Sequence, residues 1–335
     1  MHAFTLQRPT HIDEAAALLA ADPGARLLAG GTDLVPNLRR GLERPTVLID
    51  LSRVGGFTEV GIDDGGLTLG AGAAVSRIAN DAHIVRHYRA IAEAAQALAG
   101  PGHRSVATLG GNLCLDTRCV FYNQSEWWRA ANSYCLKRGG DTCHVAPQGD
   151  RCHAAFSGDM APALLALGAE AEAVSVRGVR RFALTELYRD DGRAWLTLAR
   201  DEVLTRVRVP TARPTCASGY RKARARGAMD FPLAGVAIAL CLQDGLLAEL
   251  RVALTGTNSR PILLEGTAAL LGKAVGDDMA NALGKLVQKQ VSPMRTTVTS
   301  SNHRRLVAMA LAQRLLRELA DHGFAAGAAA ARPVR

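Results

Sequence analysis

The chain has 335 residues, 48% hydrophobic and 21% charged, which excludes disorder and collagen-like repeats as global descriptions and leaves room for two or three domains. The 40 Lys and Arg against 31 Asp and Glu give a net charge of +9, which favours an acidic partner without fixing its kind. No stretch approaches the roughly 18 consecutive apolar residues of a membrane span, and the first residues lack a leader pattern, so a cytoplasmic protein with no membrane partner is expected.

In chain order the pattern opens as βαβ, with an extended piece at 4–7, an Ala/Leu-rich helix at 12–21 closed by Pro23-Gly24, and a short strand at 26–28. After the pair Gly30-Gly31, a helix at 34–40 and a strand at 47–51 are predicted. Glycine-rich turns and short strands continue to 72, and one helical pattern runs from 83 to 99, where Gly100-Pro101-Gly102 breaks it. Residues 113–155 lack periodicity and read as an insertion. A helix at 159–167 and strands at 171–177 and 203–209 lead to Pro210 and Pro214, a domain boundary. Beyond it, 218–225, 234–242 and 246–255 suggest an antiparallel sheet, followed by helices near 266–271, 277–290 and 302–320 and an Ala-rich tail at 325–335 expected to fray. The fold class is α+β, with a first domain at 1–213 and a smaller one of sheet plus helices at 214–324.

Two loops carry chemistry. Ala29-Gly30-Gly31-Thr32-Asp33 lies between a predicted strand and a helix opening at Leu34, and Thr108-Leu109-Gly110-Gly111-Asn112 repeats its pattern. Glycine lets backbone N–H groups turn toward an anion, and a following helix N-terminus adds a favourable dipole, so the pair could clamp a pyrophosphate. Neither loop fits the dinucleotide fingerprint GxGxxG or the phosphate loop GxxxxGK[ST]. Read alone, each is more readily a structural turn, and the pair on one scaffold brings the ligand reading level with that one.

The cysteines are more specific. In a reducing compartment, seven are more readily buried hydrophobes, metal ligands or redox groups than disulfides. Five fall between Cys114 and Cys152, with gaps of four, fifteen, seven and eight residues. Structural zinc usually takes close CxxC pairs, whereas an iron–sulfur cluster takes four thiolates and tolerates wide spacing. Interleaved Phe121, Tyr122, Trp127, Trp128 and Tyr134 would shield such a group. Elsewhere the residues suggest less: Lys222 lies in a basic alternation (Arg221 to Arg226) that reads as a solvated face, Asp159 is first of all a helix cap, and the nine histidines form no HExxH or HxE pattern.

These loops resemble the two pyrophosphate loops of the FAD-binding medium subunits of the xanthine oxidase and carbon monoxide dehydrogenase family of molybdenum hydroxylases, and the similarity covers nearly the whole chain. It implies a two-part FAD-binding domain of the PCMH type at 1–213, followed by an α+β domain of the carbon monoxide dehydrogenase flavoprotein type. It also implies FAD contacts from Ala29, Gly30, Gly31, Thr32, Asp33, Leu34, Thr108, Gly110, Gly111 and Asn112, with Asp159 and Lys222 near the flavin. The stretch Asp116-Thr117-Arg118-Cys119, with 121–128 after it, further resembles the 4-hydroxybenzoyl-CoA reductase branch of that family. There the insertion carries a 4Fe-4S cluster, which makes Cys119, Cys135, Cys143 and Cys152 the implied ligands and Cys114 a spare thiol. The implied partners are a large molybdopterin subunit and a small 2Fe-2S subunit, in a dimer of heterotrimers, with reduced ferredoxin as donor. Arg118, Arg129, Lys137, Arg138 and Arg151 are then expected to form its docking face.

Three other readings compete: a medium subunit passing electrons to NAD or a quinone, with the insertion degraded or holding zinc; a basic nucleic-acid-binding protein with a zinc-stabilised loop; and a flavin-free scaffold. Dispersed Lys and Arg and the absence of a recognition motif count against nucleic acid.

Overall fold

The computed structural model describes residues 2–296 and 299–322; the expected tail at 325–335 lies outside them. The chain opens with β1 (Thr5–Gln7), α1 (Ile12–Ala21), β2 (Arg26–Leu28), α2 (Leu34–Arg39) and β3 (Val47–Asp50). The three strands form a parallel sheet in the order β1-β3-β2. Acidic Asp13 and Glu14 in the first turn of α1 complement the positive end of the helix dipole, and Ala15, Ala16 and Leu19 form its buried face.

A hairpin of β4 (Val60–Asp63) and β5 (Gly66–Gly70) begins a second sheet, followed by α3 (Val75–Asn80), α4 (Ala82–His87), α5 (Arg89–Ala97), α6 (Pro101–Arg104) and α7 (Leu109–Leu113). The single helix predicted at 83–99 is two. The chain breaks at Tyr88 (φ −128°, ψ 52°), whose ring is buried and whose hydroxyl donates to the Pro210 carbonyl at 3.2 Å, a long-range contact that local periodicity does not encode. Pro101 does not simply end that helix: it starts α6 at the N1 position, where its missing N–H costs nothing.

The insertion contains one further helix, α8 (Glu126–Ala131), whose first turn is capped by the Ser125 hydroxyl accepting from Trp128 N–H. Next come α9 (Met160–Ala166), β6 (Glu170–Ser175), β7 (Gly178–Ala183) and β8 (Val203–Val209), which complete an antiparallel sheet in the order β4-β5-β8-β6-β7.

The last part is a four-stranded antiparallel sheet, β12-β11-β10-β9, built from β9 (Cys216–Ala223), β10 (Ala234–Gln243), β11 (Leu246–Thr255) and β12 (Ile262–Leu263). Two helices, α10 (Asp277–Gln290) and α11 (Ser301–His322), accompany it. The helix expected near 266–271 is a short 3-10 turn, Thr267–Leu270. Asp244 and Gly245, both at positive φ, make the two-residue turn between β10 and β11. Cys216 and Cys241 face each other across β9 and β10 and form a disulfide, contrary to the expectation of thiols; sequence order cannot reveal that cross-strand register. One buried cluster is built mainly from residues before 210, and a second from residues 217–319; Tyr220, Ala237 and Ala253 of the last sheet belong to the first.

Candidate functional site

The second residue of the first glycine pair, Gly31, turns the chain at φ +70° between β2 and α2, and a Cβ at Gly30 would lie 1.9 Å from the Val106 carbonyl oxygen. Only a glycine there lets this loop rest on the turn that leads into Thr108. The contact brings the two glycine loops to one cavity of about 510 Å³, within the size range of small-molecule sites. Ala29, Gly30, Gly31, Thr32, Asp33, Leu34, Thr108, Gly110, Gly111, Asn112, Asp159 and Lys222 all line it, as do Cys114, Asp116, Trp195 and Met229 to Phe231.

The two loops are not equivalent. In the first, the N–H groups of residues 30–34 make no hydrogen bond among the described residues, leaving five consecutive donors at the N-terminus of α2. In the second, Gly110 N–H donates to Ala71 O at 2.7 Å and Gly111 N–H to the Thr108 hydroxyl at 3.1 Å. Donors without a partner among the described residues are therefore concentrated in the first loop, and those of Gly110 and Gly111 in the second are spent on packing it. Unpaired donors beside an apolar, glycine-walled cavity fit the pyrophosphate of a dinucleotide such as FAD.

Asp159 does not cap α9. That position is filled by the Asn112 side-chain oxygen, which accepts from Met160 N–H at 2.9 Å. The Asp159 carboxylate instead takes the Tyr220 hydroxyl at 2.6 Å and the Lys222 ammonium at 2.9 Å. Lys222 is not on a solvated face, because only 3% of its side chain is exposed, against 4% for Asp159. Burial pushes the Asp159 carboxyl above its ordinary range, and Lys222 opposes that shift. Tyr220 went unnoticed in the sequence, although its position two residues before Lys222 on one strand puts both on the same face.

Asp33 is held by Arg118 at 2.6 Å and by Asn37 at 3.2 Å. Burial raises its carboxyl; Arg118 works against this and neighbouring Asp116 adds to it. The insertion is thereby tied to the first glycine loop.

Within the insertion, Cys135, Cys143 and Cys152 are buried and Cys119 is partly so. The Cys143 thiol is held down to about 5, first by the Cys152 thiol donating to it and also by N–H groups of His153, Val145 and Ala146. Cys152 is raised correspondingly. Burial raises Cys119, with Cys135 and Cys143 adding like-charge repulsion, so these sulfurs lie within electrostatic reach of one another. Tyr122 N–H points at the Cys119 sulfur (3.3 Å) and Ala154 N–H at the Cys152 sulfur (3.5 Å). Among the described residues, no three His, Cys, Asp or Glu side chains converge on a single-ion site. Cys114 lies apart on the cavity wall, its thiol raised to about 12 by burial.

The expected basic docking face is not assembled. Arg129 is buried, with 3% of its side chain exposed and its guanidinium on Glu126, and Lys137 is buried against Asp116. Arg118 serves Asp33, Arg151 pairs with Asp190, and Arg138 donates to Leu42 O. These charges organise the insertion from within, a use that composition does not distinguish from surface display. No helix among the described residues is long and apolar enough to cross a membrane.

Residues 2–212 match the model of the FAD binding domain in molybdopterin dehydrogenase, and residues 218–319 that of the CO dehydrogenase flavoprotein C-terminal domain. The aldehyde oxidoreductase FAD-binding subunit of Escherichia coli K12 is 32% identical over 82% of this chain and 87% of its own length. The nicotine 6-hydroxylase medium subunit of Paenarthrobacter nicotinovorans is 27% identical over 92% and 95%. Among solved structures, carbon monoxide dehydrogenase from Hydrogenophaga pseudoflava superposes with a TM-score of 0.79 at 21% identity, covering 97% of this chain and 98% of that one.

Proposed function

The chain belongs to the FAD-binding medium subunits of the xanthine oxidase and carbon monoxide dehydrogenase type of molybdenum hydroxylase, and from that premise we propose that it is the electron-transfer subunit of a 4-hydroxybenzoyl-CoA reductase. The observation that carries the flavin part is the run of five N–H groups, at residues 30–34, that have no hydrogen-bond partner among the described residues and belong to residues lining a cavity shared by both glycine loops. Gly31 would turn those donors toward the pyrophosphate, and the buried Asp159–Lys222–Tyr220 group would keep one wall rigid and charge-balanced. Bound FAD would supply both one- and two-electron exchange.

Cys119, Cys135, Cys143 and Cys152 would hold a 4Fe-4S cluster. Mutual influence among these thiols, N–H groups aimed at sulfur, and a Cys143 that favours thiolate all suit such a ligand set. The absence of a single-ion site is compatible with a cluster, which spaces its thiolates more widely than one ion does. The cluster would supply a single-electron centre in a class whose potentials extend to about −700 mV. In this reading reduced ferredoxin is the donor, and a large molybdopterin subunit and a small 2Fe-2S subunit receive the electrons. On that large subunit two electrons and two protons convert 4-hydroxybenzoyl-CoA to benzoyl-CoA and water.

A second reading is an oxidising enzyme whose flavin subunit passes electrons onward to NAD or a quinone; the relatives include subunits of an aldehyde oxidoreductase and a nicotine 6-hydroxylase. Flavin, iron and acid-labile sulfide determined on this chain separated from its partners distinguish the two. FAD with iron and sulfide in equal amounts supports the reductase; FAD alone overturns the cluster; a colourless protein overturns both.

A further inference from the structure

The insertion carries a buried lysine that neither glycine loop nor the four cysteines account for. Lys137 follows Cys135 by two residues, in the 3-10 turn Leu136–Arg138, and only 7% of its side chain is exposed. Its ammonium donates to Asp116 Oδ1 at 2.6 Å, Thr117 Oγ1 at 2.5 Å, Thr117 O at 3.0 Å and Gly192 O at 2.8 Å. It also lies over two rings, 4.8 Å from the centroid of Tyr122 and 4.6 Å from that of Trp195.

Those partners belong to both halves of the electron path. Asp116 and Trp195 line the flavin cavity. Tyr122 gives its N–H to Cys119, and Gly192 N–H holds the Cys152 carbonyl at 2.8 Å. The ammonium therefore sits between the thiol group and the cavity wall, in a setting from which water is largely excluded. A bridge built only for packing needs no charge, since replacing a buried ion pair by apolar residues is often neutral or stabilising. A fixed buried cation does have an electrostatic effect: it favours added negative charge on both sides, and net charge near a redox group is among the factors that set its potential.

We propose that Lys137 is a positioning residue shared by the two redox sites, a fixed cation that makes both the cysteine-held group and the flavin easier to reduce. This rests on the cluster reading above. Asp116 acts in the opposite sense, so the two members of one ion pair have opposite influence.

The test is a dithionite titration of the assembled complex, followed by electron paramagnetic resonance for the cluster and by absorbance for the flavin. Iron and FAD contents are measured first. In Lys137→Gln the ratio of reduced to oxidised cluster at a fixed potential should fall on the order of tenfold, about 59 mV for one electron, and the flavin midpoint should move the same way. Asp116→Asn should shift both midpoints positively, and Lys137→Arg, which keeps the charge, should stay close to the parent. Unmoved midpoints in iron-replete Lys137→Gln, a cluster shift with a stationary flavin, or the same sign of shift in Asp116→Asn each overturn the proposal. Should Lys137→Gln fail to load iron, the sign of the Asp116→Asn shift decides alone. A parent complex without iron in this chain overturns the cluster reading and this one with it, whereas iron present with unmoved midpoints removes only the role of Lys137.

Discussion

At Gly31 the left-handed backbone coincides with the proposed flavin contact, and a Cβ would meet Val35 and Leu28 at 3.1 and 3.4 Å while the φ of +70° already disfavours any side chain. Gly31→Val should lower stability by about 1–2 kcal/mol and reduce FAD content, read by urea titration and by flavin absorbance per chain. Unchanged flavin in that variant would remove the first loop from the site. Gly110 differs: its N–H is used by Ala71 O and its Cβ would press on the Ala71 Cβ at 2.9 Å, so Gly110→Val should unfold more readily by about 1–3 kcal/mol. At the thiols, Cys119→Ser, Cys135→Ser, Cys143→Ser or Cys152→Ser should each lower iron content with FAD retained, while Cys114→Ser, on the cavity wall, spares it. Equal iron loss for Cys114→Ser would refute the ligand assignment.

Strand β9 does its work as an element. Period-two alternation places Tyr220 and Lys222 on one face, and packing of that face against the start of α9 delivers a phenol and an ammonium to the Asp159 carboxylate. Removing one partner strands a buried charge, so Asp159→Asn or Lys222→Met should each cost about 3–5 kcal/mol, whereas the double variant should recover part of that loss. Additive losses in a double-mutant cycle would show that the pair is not coupled. The same strand presents Arg221 to Glu93 at 2.8 Å, and Arg89 spans Glu93 and Glu318 at 2.8 and 2.7 Å, joining β9, α5 and α11.

For the whole molecule, those links and the presence of Tyr220, Ala237 and Ala253 in the first core predict one cooperative transition. Tryptophan fluorescence, which reports on Trp127, Trp128 and Trp195, should coincide with far-ultraviolet circular dichroism on urea unfolding; separated midpoints would show independent domains. Acid should weaken the fold for a definable reason. Arg180 holds Glu202, and Arg213 holds Glu249, below the ordinary carboxylate range. The unfolded chain therefore binds more protons at these groups as pH falls below about 4.5, and the stability they contribute is lost through their folded values. Asp33 and Asp159, raised by burial, run the other way, their contribution being complete below about 3.8 and lost as pH rises through the folded values. Glu202→Gln should flatten the acid limb of the melting-temperature profile; an unchanged limb would refute this assignment.

Local chemistry determined the elements whose burial follows their own period. The helices at 12–21 and 277–290 and the strands at 26–28, 203–209 and 246–255 coincide with the observed bounds, because hydrophobic spacing and turn residues encode them within a few residues. Glycine spacing likewise made Gly30-Gly31 and Gly110-Gly111 legible as paired loops, and clustering singled out the insertion. What required the tertiary structure was how each polar group spends its bonds. The break at Tyr88 depends on Pro210, the capping of α9 on Asn112, and the Cys216–Cys241 pairing on the register of two strands. Arg118, Arg129 and Lys137 resembled a basic surface until folding enclosed them. Desolvation and partner choice arise from contacts between residues distant in sequence, so composition and periodicity carry no record of them.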